Sequence, residues 1–175
     1  MVCVKSRLSG TPSVWRSDYG ESWSRVDVAQ GEEISRVMEI AYGPVSPTSV
    51  YAGVRPDLVQ GANGLHRSED GGLSWERVDE EIPRFGAVVD IAFERTSPYR
   101  VFASSNGALY YSEDHGRTPW VQIDPSEFGL YLGSIAVAPS VEGDTSVLYA
   151  VDEIDGGLYR LPLTNGTQLT STILP

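Results

Sequence analysis

The feature that most constrains the fold is a short pattern that returns three times. "SEDGGLSW" (Ser68 to Trp75) places a hydroxyl, a carboxylate, two glycines and an indole in eight positions. "SEDHGRTPW" (Ser112 to Trp120) is the same pattern with one residue inserted before the tryptophan, and "SDYGESW" (Ser17 to Trp23) lacks one residue after the serine. The flanks repeat as well. Leu65-His66-Arg67-Ser68 matches Val14-Trp15-Arg16-Ser17 and Leu109-Tyr110-Tyr111-Ser112, while Ile40-Ala41, Ile91-Ala92 and Ile135-Ala136 stand 51 and then 44 residues apart.

A period near 50 is the size of one supersecondary unit in a propeller or comparable array. Each unit reads as four short strands, which in the second copy fall near Val37 to Tyr42, Ser49 to Val54, Gly64 to Ser68 and Trp75 to Val78. These segments are rich in β-branched and aromatic residues and are separated by Pro44, Pro47, Pro56, Gly61, Gly71 and Gly72. No segment keeps a 3.6-residue apolar period, so the chain is expected to be all-β. Four antiparallel strands at this period, with no helical crossovers, predict a β-propeller, because radial packing covers both faces of every blade. The units are placed at about 1–30, 37–79, 88–124 and 134–175 of one domain. The first starts at its second strand, which makes about three and a half to four blades, a partial ring. A longer polypeptide, or another copy or subunit, is expected to complete it, in preference to a small four-bladed ring with an incomplete blade.

The repeated pattern reads as construction. Asp70 can accept from backbone amides of its own turn, Gly72 can take positive φ, Ser68 can add a local bond, and Trp75 can pin the turn to the neighbouring sheet. Ser-x-Asp-x-Gly-x-x-Trp resembles the Asp-box, or BNR repeat, of sialidase-type propellers. Ser68, Asp70, Gly72 and Trp75 match it in full. Ser112, Asp114, Gly116 and Trp120 match around an insertion that includes Pro119, and the first copy keeps Asp18, Gly20 and Trp23. In the fourth unit only Gly157 to Arg160 survive, without the aspartate or tryptophan. Families sharing this box include sialidases, xyloglucan-cleaving endoglucanases, sortilin-like receptors and photosystem assembly factors. The resemblance therefore implies a fold more than an activity, and it implies that the box lies on the rim away from the ligand face.

The remaining signals narrow the function classes. Asp and Glu total 24 against 13 Lys and Arg, a formal charge of −11, which repels phosphate backbones and makes nucleic acid a poor partner. No apolar run is long enough for a membrane helix, and the opening "MVCVKSRLSG" lacks the apolar stretch of a secretory signal, as expected either of a chain that stays inside or of a mature or partial piece. An extracellular or periplasmic home is implied by the resemblance alone. Cys3 is the single cysteine, and His66 and His115 occupy positions unrelated by the repeat, so no metal site and no cofactor are expected.

Ligands of propellers bind where strand-connecting loops converge at the mouth of the channel. The repeat assigns to that face residues 27–36, 79–87, 124–133, 55–63 and 152–156, an acidic set that includes Glu32, Glu33, Asp124, Asp152 and Asp155, relieved by Arg36 and Arg55. Glu80, Arg84, Phe85, Phe128 and Tyr131 are the candidate binding residues. Glu81 beside Phe85, and Glu127 beside Phe128 and Tyr131, are the candidate catalytic carboxylates, although nothing in the spacing marks the pair that glycoside hydrolysis needs. No converging arginines suited to a sialic acid carboxylate can be picked out. The reading is a non-catalytic binding or scaffold module for a partner protein or glycan. Its alternative is a fragment of a glycoside hydrolase of the xyloglucanase or sialidase kind.

Overall fold

A computed structural model describes residues 2–6, 13–28, 36–55, 64–79, 82, 87–95, 99–117, 119–123, 131–138, 146–154, 156–163 and 172–174. Among them every regular element is a strand. β1 (Val2–Ser6), β2 (Ser13–Ser17) and β3 (Ser24–Val26) form a three-stranded sheet. The second sheet holds β4 (Arg36–Tyr42), β5 (Val50–Arg55), β6 (Gly64–Ser68) and β7 (Glu76–Arg77), and the third β8 (Val88–Phe93), β9 (Val101–Ser105), β10 (Ala108–Ser112) and β11 (Val121–Gln122). The fourth holds β12 (Leu132–Ala138), β13 (Val147–Asp152), β14 (Leu158–Pro162) and β15 (Thr172–Leu174). Every pairing is antiparallel between sequence neighbours, so each sheet is a blade of the expected kind. We number them 1 to 4.

The core lies between blades. Val14, Val28, Val37, Val50, Ala52, Val54 and Trp75 fill the space between blades 1 and 2. Tyr51, Leu65, Ile82, Val88, Ile91, Ala103, Tyr110 and Trp120 fill that between blades 2 and 3. Phe102, Leu109, Ile123, Leu132, Ile135, Leu148, Tyr159, Leu161 and Leu163 fill that between blades 3 and 4. Strands β6 and β9 are buried at every position, so successive side chains, which point to opposite faces, are covered on both sides. Strand β13 alternates between buried and more open positions. Blade 4 is thus covered on one face among the described residues. Close approach between sheets also sets residue size: a methyl on Gly53 would lie 2.7 Å from the Val88 carbonyl oxygen of the next blade.

The repeated turns do the work expected, with one shift of emphasis. In the second copy Asp70 Oδ1 accepts from the amides of Leu73 and Ser74, both at 2.9 Å, and Oδ2 accepts from the Ser74 hydroxyl at 2.6 Å. These bonds, chiefly those from Ser74, hold its carboxyl well below the usual range. Gly72 has a φ of 86°, and Trp75 is 2% exposed, donating from Nε1 to the Gly72 carbonyl at 3.2 Å. The bond common to all three copies is made by the serine: Ser17, Ser68 and Ser112 Oγ accept from the amides of Gly20, Gly72 and Gly116 at 2.7, 2.7 and 3.1 Å. Asp18 instead pairs with Arg16 at 2.5 Å, and Asp114 meets His115 Nδ1 at 3.3 Å. The amide-capping role predicted from the aspartate is therefore realised in the second copy, where the turn keeps the full pattern.

The turns also join blade to blade. Arg16 Nε donates to the Gly71 carbonyl of the next blade at 2.9 Å. One blade on, Tyr51 Oη and Arg67 Nη1 both donate to the equivalent carbonyl, that of His115, at 2.8 and 2.9 Å. The Trp120 indole N–H reaches back to the Val78 carbonyl of blade 2. Between blades 3 and 4 a different device appears. Arg100 and Glu94, about 5% exposed or less, pair at 2.7 Å, and Arg100 Nη2 donates to the Leu163 carbonyl at 3.2 Å.

Arg67 supplies the charged donor to this part-buried carbonyl and Tyr51 a neutral one, so Arg67→Met should lower stability by about 1.5–3 kcal/mol and Tyr51→Phe by about 1 kcal/mol in urea denaturation. An unchanged midpoint for Arg67→Met would sink this account. The buried His66 ring offers a second test. Burial, aided by the Arg77 charge, lowers its pKa from 6.5 to about 4. The unfolded chain therefore takes up a proton that the folded one refuses, and stability falls as pH drops from 6.5 toward 4. His66→Gln should flatten that slope in the same titration.

Candidate functional site

The antiparallel register sets where a ligand can sit. Ser68, which opens the box turn, pairs with Val50 at the start of β5, and Gly64 pairs with Val54 near its end. The repeated turns and the exits of the second strands thus lie at opposite ends of the blades that carry them. At the exit end a cleft of about 340 Å³ is lined by Arg55, Ala87, Val89, Asn106, Gly107, Tyr131, Leu132 and Glu153. It spans blades 2, 3 and 4 and lies on the face the repeat assigned to ligands. Its volume is in the range of small-molecule sites.

Local structure explains each wall. Arg55 is the exposed last residue of β5. Asn106 and Gly107 make the two-residue hairpin between β9 and β10, with φ of 52° and 82°. Both central residues at positive φ mark a turn whose twist matches the strands it joins. Gly107 bridges to Leu132 of blade 4. Tyr131, directly before β12, is 54% exposed, and its carbonyl accepts from the Glu153 amide at 3.0 Å. The Glu153 carboxylate lies over the Cα of Gly133, where any Cβ would overlap it, and the Gly133 carbonyl accepts from the buried Ser104 hydroxyl at 2.6 Å.

The floor of the cleft carries irregular inner strands. β4, β8 and β12 each shift register, between Val37 and Glu39, Val88 and Asp90, and Leu132 and Ile135. Such bulges re-aim side chains and often flank sites. Here the bulge lets Asp90 join two blades: Oδ1 accepts from its own neighbour Ile91 N, and Oδ2 from Ile135 N of blade 4, both at 2.8 Å. Sequence reasoning overlooked Asp90; an acid in the Ile-Ala frame shared by Met38-Glu39-Ile40 and Val89-Asp90-Ile91 was the available signal.

Of the sequence-predicted binding residues, Tyr131 lines this cleft. Glu80, Arg84, Phe85 and Phe128, and the catalytic candidates Glu81 and Glu127, lie outside the described residues. Asp152, expected on an open acidic face, is 2% exposed. Its carboxylate accepts from Ile154 N at 2.7 Å and Tyr131 N at 3.4 Å, tying the β13–β14 hairpin to the link that enters blade 4. Among the described lining residues Glu153 is the one carboxylate and Arg55 the one cation.

A solved structure carries the same architecture. The crystal structure of an ancestral GH74 enzyme superposes with a TM-score of 0.66 at 20% identity, over 90% of this chain and 22% of that one. The chain is a β-propeller. At that identity the likeness speaks for the propeller fold and stops there. In sequence the propeller is 28% identical over 155 residues to a xyloglucanase from a Paenibacillus species, which covers 78% of this chain and 14% of that protein. No protein-family model matches the sequence.

Two glycines separate the cleft from the frame. Gly133→Ala should displace the Glu153 side chain, which can swing into solvent, at a cost within about 1 kcal/mol. Gly53→Ala meets an immovable backbone oxygen of blade 3 and should cost about 1–3 kcal/mol. Thermal unfolding of the two variants side by side checks the order, and a larger loss at Gly133 would contradict it.

Proposed function

We propose that this chain is a glycan-binding segment of a xyloglucan-acting propeller, and that the cleft across blades 2 to 4 receives the sugar chain. The observation that carries the reading is the 155-residue similarity to the Paenibacillus xyloglucanase, and the chemistry of the cleft agrees with it. Tyr131 offers an open aromatic face, against which the C–H face of a pyranose can stack. Arg55, Asn106 and Glu153 surround it with hydrogen-bonding groups that suit sugar hydroxyls. Xyloglucan is uncharged, and the single described cation and carboxylate of the lining offset one another. A sialoside would instead call for several cations around its carboxylate.

Turnover demands two carboxyl groups about 5–9.5 Å apart across the scissile bond. Glu153 is the one such group of the described lining, with Glu81 and Glu127 as further candidates. Binding is accordingly the property assigned to this chain, and cleavage to a larger propeller of which it forms part. The three Ser-to-Gly turns are read as Asp-box repeats on the opposite rim, supported by their shared hydroxyl-to-amide bond.

Calorimetric titration with xyloglucan oligosaccharides should show saturable binding, weakened at least about tenfold by Tyr131→Ala, the loss expected when one aromatic contact is removed. Absence of binding, or equal binding by sialosides, would defeat the reading. Release of reducing ends by the wild-type chain, abolished in Glu153→Gln, Glu81→Gln or Glu127→Gln, would move the catalytic role onto this segment.

A further inference from the structure

Blade 4 carries a clamp that has no partner among the described residues. In blade 2, Ala41, Tyr51 and Arg67 form one cross-strand row, and Tyr51 and Arg67 together hold the carbonyl of His115, the residue between the aspartate and the glycine of the next blade's Ser-(x)-Asp-x-Gly turn. In blade 4, Ala136, Tyr149 and Arg160 form the same row in the same register. Tyr149 and Arg160 alternate with Leu148, Ala150, Tyr159 and Leu161, which face blade 3. They therefore stand on the free face, where neither has a hydrogen-bond or ionic partner among the described residues. Val151 and Leu158, paired in the adjacent row, are each 37% exposed on that face.

Clamp and box occur together. Blade 1 has Arg16, and blade 2 follows with a box; blade 2 has Tyr51 and Arg67, and blade 3 follows with a box. Blade 3 puts Phe102 and Tyr111 in that row, and the fourth unit has lost the box aspartate and tryptophan. The Tyr149 and Arg160 pair thus calls for a box-bearing blade. Among the described residues one such blade, the first, has its receiving side open. In blade 1 the residue equivalent to Gly71 and His115 is Tyr19, which is 93% exposed, and Trp23 is 40% exposed, where Trp75 and Trp120 are 2% and 5% exposed against the blade before them.

We infer that two copies of this chain associate head to tail, the Tyr149 and Arg160 clamp on blade 4 of one copy gripping the Tyr19 carbonyl of blade 1 of the other, with Trp23 covered by the contact. The contact joins two different surfaces, and it closes when the second copy returns it. Two copies of four sheets each make a ring of eight blades, within the range of about 4 to 8 that propellers use. The geometry continues an interface already built twice inside the chain, and it stands whether or not the cleft binds xyloglucan.

Light scattering on a size-exclusion column, over a range of concentrations, should give a mass of twice 19.0 kDa. Arg160→Glu and Trp23→Ser, on opposite ends, should each weaken the dimer at least about tenfold, as loss of a central Arg or Trp contact does, with Arg160→Glu leaving the melting temperature of the monomer unchanged. Tyr149→Phe, which removes one hydroxyl, should weaken it less. Mixing the Arg160→Glu and Trp23→Ser chains pairs one intact clamp with one intact turn, so a mixed dimer should return as concentration is raised. A wild-type monomer at every concentration, or a dimer indifferent to both substitutions, overturns the inference.

Discussion

The structure depends on covering each blade with the next. A four-stranded sheet of this size has two apolar faces and no helix to lay against either, and the three clusters between blades are where those faces meet. Burial of a side chain such as Tyr51, Phe102 or Leu148 contributes about 1.5–3 kcal/mol each, but area alone sets no angle between sheets. The polar clamp does. A guanidinium and a phenol directed at one backbone carbonyl of the following blade orient the turn that bears it, and that turn positions the tryptophan that packs back on the blade before.

This division leaves the opposite rim free for binding. Serine-to-glycine bonds occupy one end of the first three blades, joined by buried indoles in blades 2 and 3. The other end carries short hairpins, inner-strand bulges and the cleft. Asp90 shows how the two demands are reconciled: the register shifts in β8 and β12 lie beside the amides of Ile91 and Ile135, and one carboxylate accepts from both while crossing from blade 3 to blade 4. Glu153 stands over the cleft because Gly133 leaves room beneath it.

The similarity to the Paenibacillus xyloglucanase and the superposition on the ancestral GH74 enzyme each span a small part of those proteins. They bear on the repeated frame, which is the part a propeller can share among many activities. Tyr131, Arg55, Asn106 and Glu153, on which the proposed glycan binding rests, differ in kind from the frame residues and sit at the other end of the strands.

The sequence by itself determined the repeating unit, because strand and turn chemistry are local. Gly72 at positive φ, the Ser68 hydroxyl and the alternation of β-branched residues act within a few positions, so the strands of the second unit fell within about a residue or two of where they form. It also determined which end of the blades carries the loops. Only the tertiary structure decided which partners those residues meet. Nothing local says that Arg67 reaches a carbonyl 48 positions away, that Asp152 turns inward to hold its own hairpin, or that Asp90 bonds across a blade boundary. These contacts exist only once neighbouring sheets are docked, because the partners lie on different blades or on segments far apart in the chain.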